Sequence, residues 1–204
     1  MHEQFAHIDI ILASQSPRRR ELLEMTGLRF RVVSNPVHED YPTGLSITEI
    51  AEYLSKQKAL PFEDTIKQNT LIITADTIVA KDHHILNKAS DELQAYEMLK
   101  LLSGATHKVV TGVCLTSKTH QTIFHEITHV TFKTLSDEEI HYYIKKCKPF
   151  DKAGAYGIQE WIGAVAVTKI EGSYYNVVGL PTARLISELH KFAHAAFGQY
   201  TQKC

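Results

Sequence analysis

The chain has 204 residues, of which 44% are hydrophobic and 22% are charged. This composition is ordinary for a globular protein, and the length predicts a single domain, or one domain in two lobes, with a buried core. The formal net charge of −1 gives no overall positive field, so we expect no nucleic-acid partner, although a local cluster would suffice for a small anion.

The first half of the chain alternates predicted strands with predicted helices. We predict strands at residues 8–13, 30–33 and 71–80, and helices at residues 17–26 and 47–60. Ser16 as the N-cap, Pro17 at the first helical position and Gly27 past the end delimit the first helix. The second helix begins with the capping box Ser46-Ile47-Thr48-Glu49.

The second half of the chain continues this alternation and adds hairpins. We predict strands at residues 85–86, 109–116, 122–132 and 163–170, and helices at residues 91–102, 136–147 and 181–197. The residues from Gln199 onward are predicted to fray. Because no linker or repeat divides the chain, residues 1–204 are predicted to form one α/β domain in which helices flank a mixed, twisted sheet.

The first predicted helix carries three arginines, Arg18, Arg19 and Arg20, in its first turn. That end of a helix has free N–H groups and the positive end of the dipole, so cations there are unfavourable unless an anion binds. A phosphate chain could accept backbone and guanidinium hydrogen bonds together, and Ser14 and Ser16 add hydroxyl donors. The position after a buried strand favours such a site. A solvated basic helix start explains the arginines alone equally well.

Lys58 and Asp76 are charged residues in apolar patterns. Lys58 follows Leu54 by four residues on the apolar face of the second helix, so an inward-pointing ammonium needs an anionic partner, unless it extends to solvent from the last turn. Asp76 interrupts the strand 71–80, which is otherwise suited to burial on both faces. Beside a lysine and arginines, this carboxylate could hold a divalent cation or activate water. A purely structural salt bridge with Lys58 is the alternative.

Three further features could belong to the same site. Lys88 follows the return strand and could reach it, while Glu39 and Asp40 could complete a metal site. The segment Asp151–Gln159 mixes charge, small residues and an amide, and its glycines permit close approach by a ligand. A solvated lysine, a solvated acidic turn and an ordinary flexible loop are the alternatives.

Together these residues resemble the Maf family of nucleotide pyrophosphatases over about residues 10–192. The resemblance depends on four motifs in this order: Ser14-Gln15-Ser16-Pro17-Arg18-Arg19, Ala75-Asp76-Thr77, Asp151–Gln159, and Gly172-Ser173-Tyr174 with Val178-Gly179-Leu180-Pro181. Each motif is weak alone, whereas the four in order are specific. Two departures bear on the placement of Lys88: Ala89 stands where the family tends to have proline, and the turn Asp82-His83-His84 lacks the usual glycine.

The resemblance implies an α/β fold like that of the inosine triphosphate pyrophosphatases, with a central cleft between two lobes, and often a homodimer. It implies hydrolysis of a nucleoside triphosphate to the monophosphate and pyrophosphate, with Mg²⁺ or Mn²⁺ as cofactor. The segment Asp151–Gln159 resembles the branch that acts on dTTP and UTP, and modified pyrimidine nucleotides are possible substrates. The alternative is a nucleotide-binding regulator of cell division with little turnover, as the family's older name, septum formation inhibitor, suggests.

The resemblance also implies roles for individual residues. Asp76 is expected to be the catalytic base and to hold the metal together with Glu39, and Gln159 is expected near the base or the metal. Arg18, Arg19 and Lys58 are expected to be catalytic as cations that hold the phosphates, and the residues expected to bind the substrate are Ser14, Ser16, Thr77, Lys88 and Gln159.

The sequence His125-Glu126-Ile127-Thr128-His129 matches the zinc-protease pattern H-E-x-x-H. That pattern works only on a helix, where residues four apart share a face. Here the neighbouring residues are β-branched and aromatic, which predicts a strand. On a strand the two histidines would stand about 13 Å apart, too far to share one zinc ion. We predict no zinc site here, and the other histidines are predicted to lie at the surface.

The cysteines and the apolar stretches indicate the compartment. Cys114, Cys147 and Cys204 are odd in number and far apart, which favours a reducing environment. The amino-terminal residues lack the pattern of a signal peptide. The longest apolar stretches are much shorter than the roughly 20 residues that cross a bilayer. We therefore expect a cytoplasmic protein with no membrane partner.

Overall fold

Alternating and apolar runs of the sequence form the strands of a mixed sheet. The computed structural model describes residues 3–34, 36–37 and 39–198. The strands are β1 (Asp9–Ala13), β2 (Arg31–Val33), β3 (Thr70–Lys81), β4 (His84–Leu86), β5 (Thr106–Thr116), β6 (Gln121–Phe132) and β7 (Val167–Glu171). In the part of the chain that is described, they form one seven-stranded sheet in the order β2-β1-β3-β5-β6-β7, with β4 paired to β3.

The sheet contains both parallel and antiparallel pairs, as predicted. β1 pairs in parallel with β2 and with β3, and Ile11 stands opposite Arg31 on one side and Ile72 on the other. β4 is antiparallel to β3, and β7 is antiparallel to β6. The carboxyl end of β1 leads directly into the segment Ser14–Ser16, as the sequence predicted.

Helices flank this sheet, and those with a predicted serine cap begin where that cap places them. They are α1 (Pro17–Met25), α2 (Ile47–Gln57), α3 (Glu92–Leu102), α4 (Asp137–Cys147), α5 (Trp161–Ala166), α6 (Tyr174–Val178) and α7 (Thr182–Phe197). Ser16 caps α1, and Ser46 and Ser136 form the predicted capping boxes of α2 and α4. The α/β class with a mixed sheet flanked by helices is therefore confirmed.

The predicted strand at residues 163–170 is partly wrong. Residues 161–166 form α5, and only the segment from Val167 onward is a strand. Gly163 packs so closely that an added Cβ would lie 1.7 Å from the Ile158 carbonyl oxygen. The run Gly163-Ala164-Val165-Ala166 has no decisive local preference, and a short apolar run is ambiguous between strand and helix. Tertiary packing against Ile158 decides it.

Other short elements were not predicted at all. The helix α6 and the 3-10 helix Leu60–Thr65 each contain only five or six residues and lack a clear periodicity. The fraying predicted from Gln199 lies outside the described residues, as does Asn35 in the predicted turn after β2. Among the described residues, no helix combines the length and the apolar character needed to cross a membrane.

The chain divides into two compact units. The first unit takes its described residues from 1–76, 112–125 and 179–204, and the second takes residues 77–111 and 126–178. In the first unit, Phe62 and Ile66 pack with Ile11 of β1 and Ile72 of β3. In the second unit, the buried residues of α3 and α4, such as Leu99 and Ile140, belong to a larger core.

A close backbone approach positions α2 in the first unit. A Cβ added to Gly112 of β5 would lie 2.2 Å from the carbonyl oxygen of Ala51 in α2. Only a glycine allows the strand and the helix to approach this closely. Because Lys58 follows α2, this contact also helps to set where its side chain begins.

Candidate active site

The beginning of α1 presents hydroxyl groups and backbone N–H groups at the carboxyl end of β1. The Ser16 hydroxyl accepts a hydrogen bond from the Arg19 N–H at 3.4 Å, and the Ser14 hydroxyl accepts one from the Ser16 N–H at 3.2 Å. Each serine hydroxyl is the acceptor in its bond, so its own proton remains available for donation to an anion. Both side chains are half-buried, which suits a binding site more than a solvated turn.

The three arginines of α1 have different surroundings. Arg20 is exposed and pairs with Glu24 one turn later, so it does not belong to the site. Arg18 and Arg19 are half-buried. Burial lowers the pKa of the Arg19 guanidinium from its ordinary value, the charges of Asp76 and Glu39 raise it, and Arg18 lowers it further. Arg19 thus lies within electrostatic reach of both predicted metal-binding carboxylates.

Arg19 is also held in place from a distant part of the chain. Its Nε donates to the carbonyl oxygen of Gly179 at 2.9 Å. Gly179 has a φ of 128°, a conformation that favours glycine. The motif Val178-Gly179-Leu180-Pro181 therefore has a structural reason that the sequence did not reveal: it supplies the acceptor that orients a phosphate-binding candidate.

Lys58 follows the last residue of α2 and joins two carboxylates. Its Nζ lies 2.5 Å from Asp76 Oδ1 and 3.0 Å from Glu39 Oε1. The exposed fractions of these side chains are 18% for Lys58, 10% for Asp76 and 44% for Glu39. The prediction that Lys58 needs an anionic partner is confirmed, and its partner is the buried carboxylate of β3.

The Lys58–Asp76 pair and the Lys58–Glu39 pair differ in how much each contributes to the stability of the fold. Removing one partner of a buried ion pair costs about 3–5 kcal/mol, because an unpaired charge remains. An exposed pair, such as the one that Glu39 makes, contributes about 0–1 kcal/mol. A structural salt bridge would explain the Lys58–Asp76 contact alone. It does not explain why Arg18, Arg19 and two serine hydroxyls are gathered in the same unit.

Glu39 and Asp76 fit one kind of metal ion. Their carboxylate oxygens are hard ligands, which suit Mg²⁺ and Mn²⁺, and Mg²⁺ is usually held by one or two carboxylates together with waters and substrate phosphates. Among the described residues, no group of three or more His, Cys, Asp or Glu side chains is placed to hold a metal. The two carboxylates therefore suit a cation that binds together with phosphates, and they do not suit a closed zinc site.

Thr77 is the first residue of the second unit, and its hydroxyl belongs to a relay there. Thr77 Oγ1 lies 3.0 Å from Thr111 Oγ1, and the Thr111 hydroxyl donates to the Asn176 carbonyl oxygen at 3.0 Å. A carbonyl only accepts, so the single Thr111 proton goes to Asn176 and Thr77 must donate to Thr111. The Thr77 hydroxyl is therefore oriented towards Thr111.

Lys88 and Gln159, the other two predicted site residues, also lie in the second unit, and both are exposed. Lys88 pairs through its backbone with Ala153 in an antiparallel bridge. The next N–H, that of Gly154, donates to the Leu86 carbonyl oxygen at 2.9 Å. The structure thus joins the backbone of Lys88 to the segment that ends at Gln159. In the first unit it gathers Arg19, Lys58, Asp76 and Glu39.

One histidine does not fit the prediction that the other histidines lie at the surface. His107 in β5 is 2% exposed, and its Nε2 lies 2.7 Å from Tyr156 Oη. Burial, with a smaller contribution from the charge of Lys81, lowers the pKa of His107 to about 4. The sequence did contain a signal, since His107 alternates with the exposed residues Thr106 and Lys108 at the start of β5.

The H-E-x-x-H sequence lies in β6, as predicted. Its first histidine, His125, has Nδ1 2.7 Å from Oε1 of Glu52 in α2. That carboxylate contact and the strand geometry explain His125 without a metal.

Comparison with known proteins shows to which family the chain is similar. A family model described as Maf-like protein matches residues 9–192. The chain is 51% identical over 192 residues to a dTTP/UTP pyrophosphatase of Phocaeicola vulgatus, covering 94% of this chain and 100% of that protein. It is 47% identical over 189 residues to a dTTP/UTP pyrophosphatase of Flavobacterium johnsoniae, covering 93% and 97%.

A solved structure supports the fold independently. The Ham1 protein of Staphylococcus aureus is similar with a TM-score of 0.50, and the likeness covers 88% of this chain and 99% of that one. The two sequences are 15% identical, so this likeness concerns the fold alone.

Proposed function

Because this chain belongs to the family of Maf-like proteins, we propose that it hydrolyses dTTP and UTP to the monophosphate and pyrophosphate. The two relatives that carry the name dTTP/UTP pyrophosphatase share about half of its residues over almost their whole length. The observation that carries the proposal is the buried carboxylate of Asp76, held by Lys58 in the same unit as Arg19. Modified pyrimidine nucleotides belong to the same proposed substrate class.

The triphosphate would bind to the cations and hydroxyls of the first unit. Arg18 and Arg19 supply guanidinium donors, and the hydroxyls of Ser14 and Ser16 are added at the amino-terminal end of α1. The hydrogen bond from Arg19 Nε to the Gly179 carbonyl oxygen orients this guanidinium. Lys88, Gln159 and Thr77 are also proposed to bind the nucleotide.

The chemical step would transfer a proton to Asp76. Lys58 holds Oδ1 of this carboxylate, so we assign Oδ2 as the atom that accepts the proton from the attacking water. The water oxygen forms a bond to the α-phosphorus, and the bond from that phosphorus to the oxygen bridging to the β-phosphate breaks. The electron pair leaves with pyrophosphate, whose growing negative charge Arg18, Arg19 and Lys58 stabilise.

Glu39 and Asp76 are the residues proposed to hold Mg²⁺ or Mn²⁺. When bound, the cation would polarise the phosphate oxygens and orient the water. Binding of a cation by both carboxylates would require Lys58 to give up part of its present contacts, and the ammonium could then turn to a phosphate.

A nucleotide panel tests the proposed function. Purified protein is incubated with dTTP, UTP, CTP, ATP, GTP and 7-methyl-GTP, with Mg²⁺ or Mn²⁺ and with a chelator, and pyrophosphate release is measured. We expect dTTP and UTP to be preferred and the chelator to abolish release. Binding without release from any nucleotide would favour instead a regulator of cell division with little turnover.

The role of Glu39 in the proposed metal site can be tested against its neighbour Asp40. Glu39→Gln is expected to raise the metal concentration needed for half-maximal release, because one carboxylate ligand is lost. Asp40→Asn removes an exposed carboxylate next to it and is expected to leave this concentration unchanged. An equal effect of both variants would contradict the assignment of Glu39.

The setting and assembly of the protein are part of the proposal. We propose a cytoplasmic enzyme that forms a homodimer and binds neither nucleic acid nor a membrane. The free thiols of Cys114 and Cys147 support a reducing compartment. Light scattering coupled to gel filtration tests the dimer, and a mass of one chain would exclude it.

A further inference from the structure

In the second unit, Lys152 is a charged residue in a buried position. Its side chain is 9% exposed, and its Nζ lies 2.8 Å from Asp151 Oδ1 and 2.9 Å from Glu160 Oε1. A buried ammonium needs such partners, because leaving water without them is costly. Two carboxylates already neutralise Lys152, so this lysine of the 151–159 motif is not placed to bind a phosphate.

The other oxygen of Glu160 binds a buried tyrosine. Tyr143 of α4 donates its hydroxyl proton to Glu160 Oε2, and the Tyr143 oxygen accepts a hydrogen bond from the Gly157 N–H at 3.0 Å. Burial and the nearby carboxylate both raise the pKa of Tyr143 above its ordinary value, so the phenol stays protonated and remains a donor. Glu160 is therefore fixed from two sides.

Gly157 packs directly against this ion pair. A Cβ at this position would lie 2.9 Å from Glu160 Cδ and 3.0 Å from Lys152 Cε. The chain thus lies close to the ion pair, and a side chain at this position would displace the ends of Glu160 and Lys152.

The segment held in this way carries predicted substrate-binding positions at both of its ends. Near its start, Ala153 pairs with the backbone of Lys88. Near its other end, the exposed Gln159 lies between Ile158, which is buried, and Glu160, which is half-buried. A residue flanked by two fixed neighbours has little freedom of backbone direction, so the contacts of Glu160 determine where the Gln159 side chain begins.

We propose that Lys152, Glu160 and Tyr143 are positioning residues that hold Gln159 and Lys88 in place for the nucleotide. We call these three residues the loop clamp. This inference depends on the proposed function, since Gln159 and Lys88 matter here as substrate-binding residues. The loop clamp itself touches no substrate and acts through the geometry of the segment 151–160.

Lys152→Met and Tyr143→Phe break the loop clamp while keeping most of the side-chain volume. We expect each to raise KM for dTTP about tenfold, with a change in kcat of no more than about threefold, because the segment is loosened and the carboxylate of Asp76 is untouched. We also expect the ratio of kcat/KM for dTTP to that for GTP to fall about tenfold, because a loosened Gln159 discriminates less between nucleotides. Lys152→Arg keeps the charge and is expected to retain most of the wild-type ratio.

Matched controls lie nearby in the same unit. Lys169→Met removes an exposed lysine that pairs with Glu171, and Tyr142→Phe removes an exposed hydroxyl next to Tyr143 on α4. Both controls are expected to keep the wild-type KM and the wild-type nucleotide ratio. Hydrogen exchange of amides 153–158 is measured in all variants, and faster exchange is expected only in the two that break the loop clamp.

The outcomes separate this inference from the proposed function. If loop-clamp variants lose stability but keep the KM and the nucleotide ratio of the folded enzyme, the three residues are structural only and the inference is wrong. Unchanged hydrogen exchange at residues 153–158 would overturn it as well. If the wild type binds a non-hydrolysable dTTP analogue without turnover, the proposed function fails. The loop clamp is then judged by the analogue's Kd, which should rise about tenfold in Lys152→Met.

Discussion

Replacing Lys58 with methionine tests how much the Lys58–Asp76 ion pair stabilises the protein. The substitution keeps most of the aliphatic stem but leaves the Asp76 carboxylate, 10% exposed, without its ammonium partner. Breaking a buried pair costs about 3–5 kcal/mol, and we take the lower end, about 3 kcal/mol, because Lys58 is itself 18% exposed. A chain of this length changes its Tm by roughly 2–4 °C per kcal/mol. The expected loss in Tm is therefore about 6–12 °C.

The same variant tests whether the lysine also serves the reaction. Loss of one donor to a developing negative charge typically lowers turnover about 10²–10³-fold. Both quantities are measured on the same preparation, by thermal unfolding and by pyrophosphate release from dTTP. Lys56→Met is the matched control: it removes an exposed lysine from the last turn of α2 and is expected to change neither quantity.

A double variant separates pairing from other effects of the substitution. Lys58→Met with Asp76→Asn leaves no buried charge without its partner, so it should be more stable than Lys58→Met alone, with a coupling of about 1–3 kcal/mol. A Tm of Lys58→Met within 2 °C of the wild type, or strict additivity of the two substitutions, would refute the buried ion pair. Stability lost with turnover retained would show that Lys58 serves the fold and not the reaction.

Three further predictions concern single positions. Asp76→Asn should fold and lose about 10²–10⁴-fold in kcat; a nearly wild-type rate would make this aspartate structural. The pKa of His107 falls from an ordinary value of 6.5 to about 4 in the fold. The unfolded chain therefore binds the proton first as the pH falls from 6.5 to 4. Over that range the wild type should lose up to about 3 kcal/mol of stability that His107→Gln does not lose, measured by urea unfolding. Gly112→Ala should unfold at much lower urea than Gly44→Ala, because only the first substitution puts a Cβ against a backbone oxygen, that of Ala51; similar midpoints would disprove this close approach.

Much of the fold was predictable because its signals are local. Ser16, Ser46 and Ser136 begin their helices by bonding N–H groups three residues away, and such bonds form without help from the rest of the chain. The apolar run of β3 needed only its composition to be recognised as a buried strand. Where the local signal was divided, as at residues 163–166, the sequence predicted a strand and packing against Ile158 made a helix.

The candidate site was predictable only in part. Asp76 and Lys58 were visible because each breaks an apolar pattern, and a buried charge demands a partner. The partner of Arg19 was not visible, since the Gly179 carbonyl is 160 residues away and every residue has a carbonyl. The loop clamp was hidden for a similar reason, because Lys152 in a motif reads equally well as a phosphate ligand until its two carboxylate partners are known.

The sequence by itself determined that Asp76 would lie in a buried strand, that Lys58 would lie on an apolar helix face, and that an anion could bind at the start of the first helix. Only the tertiary structure decided that Asp76 and Lys58 neutralise each other, that Glu39 joins them, and that Arg19 lies near both carboxylates. The physical reason is that the burial of a residue follows from the apolar pattern of the segment around it, whereas the attraction between two charged groups depends on the distance between them. Lys58 is 18 positions from Asp76 and 19 positions from Glu39 in the chain, so the distances between their charged groups are set by how the strands and helices pack.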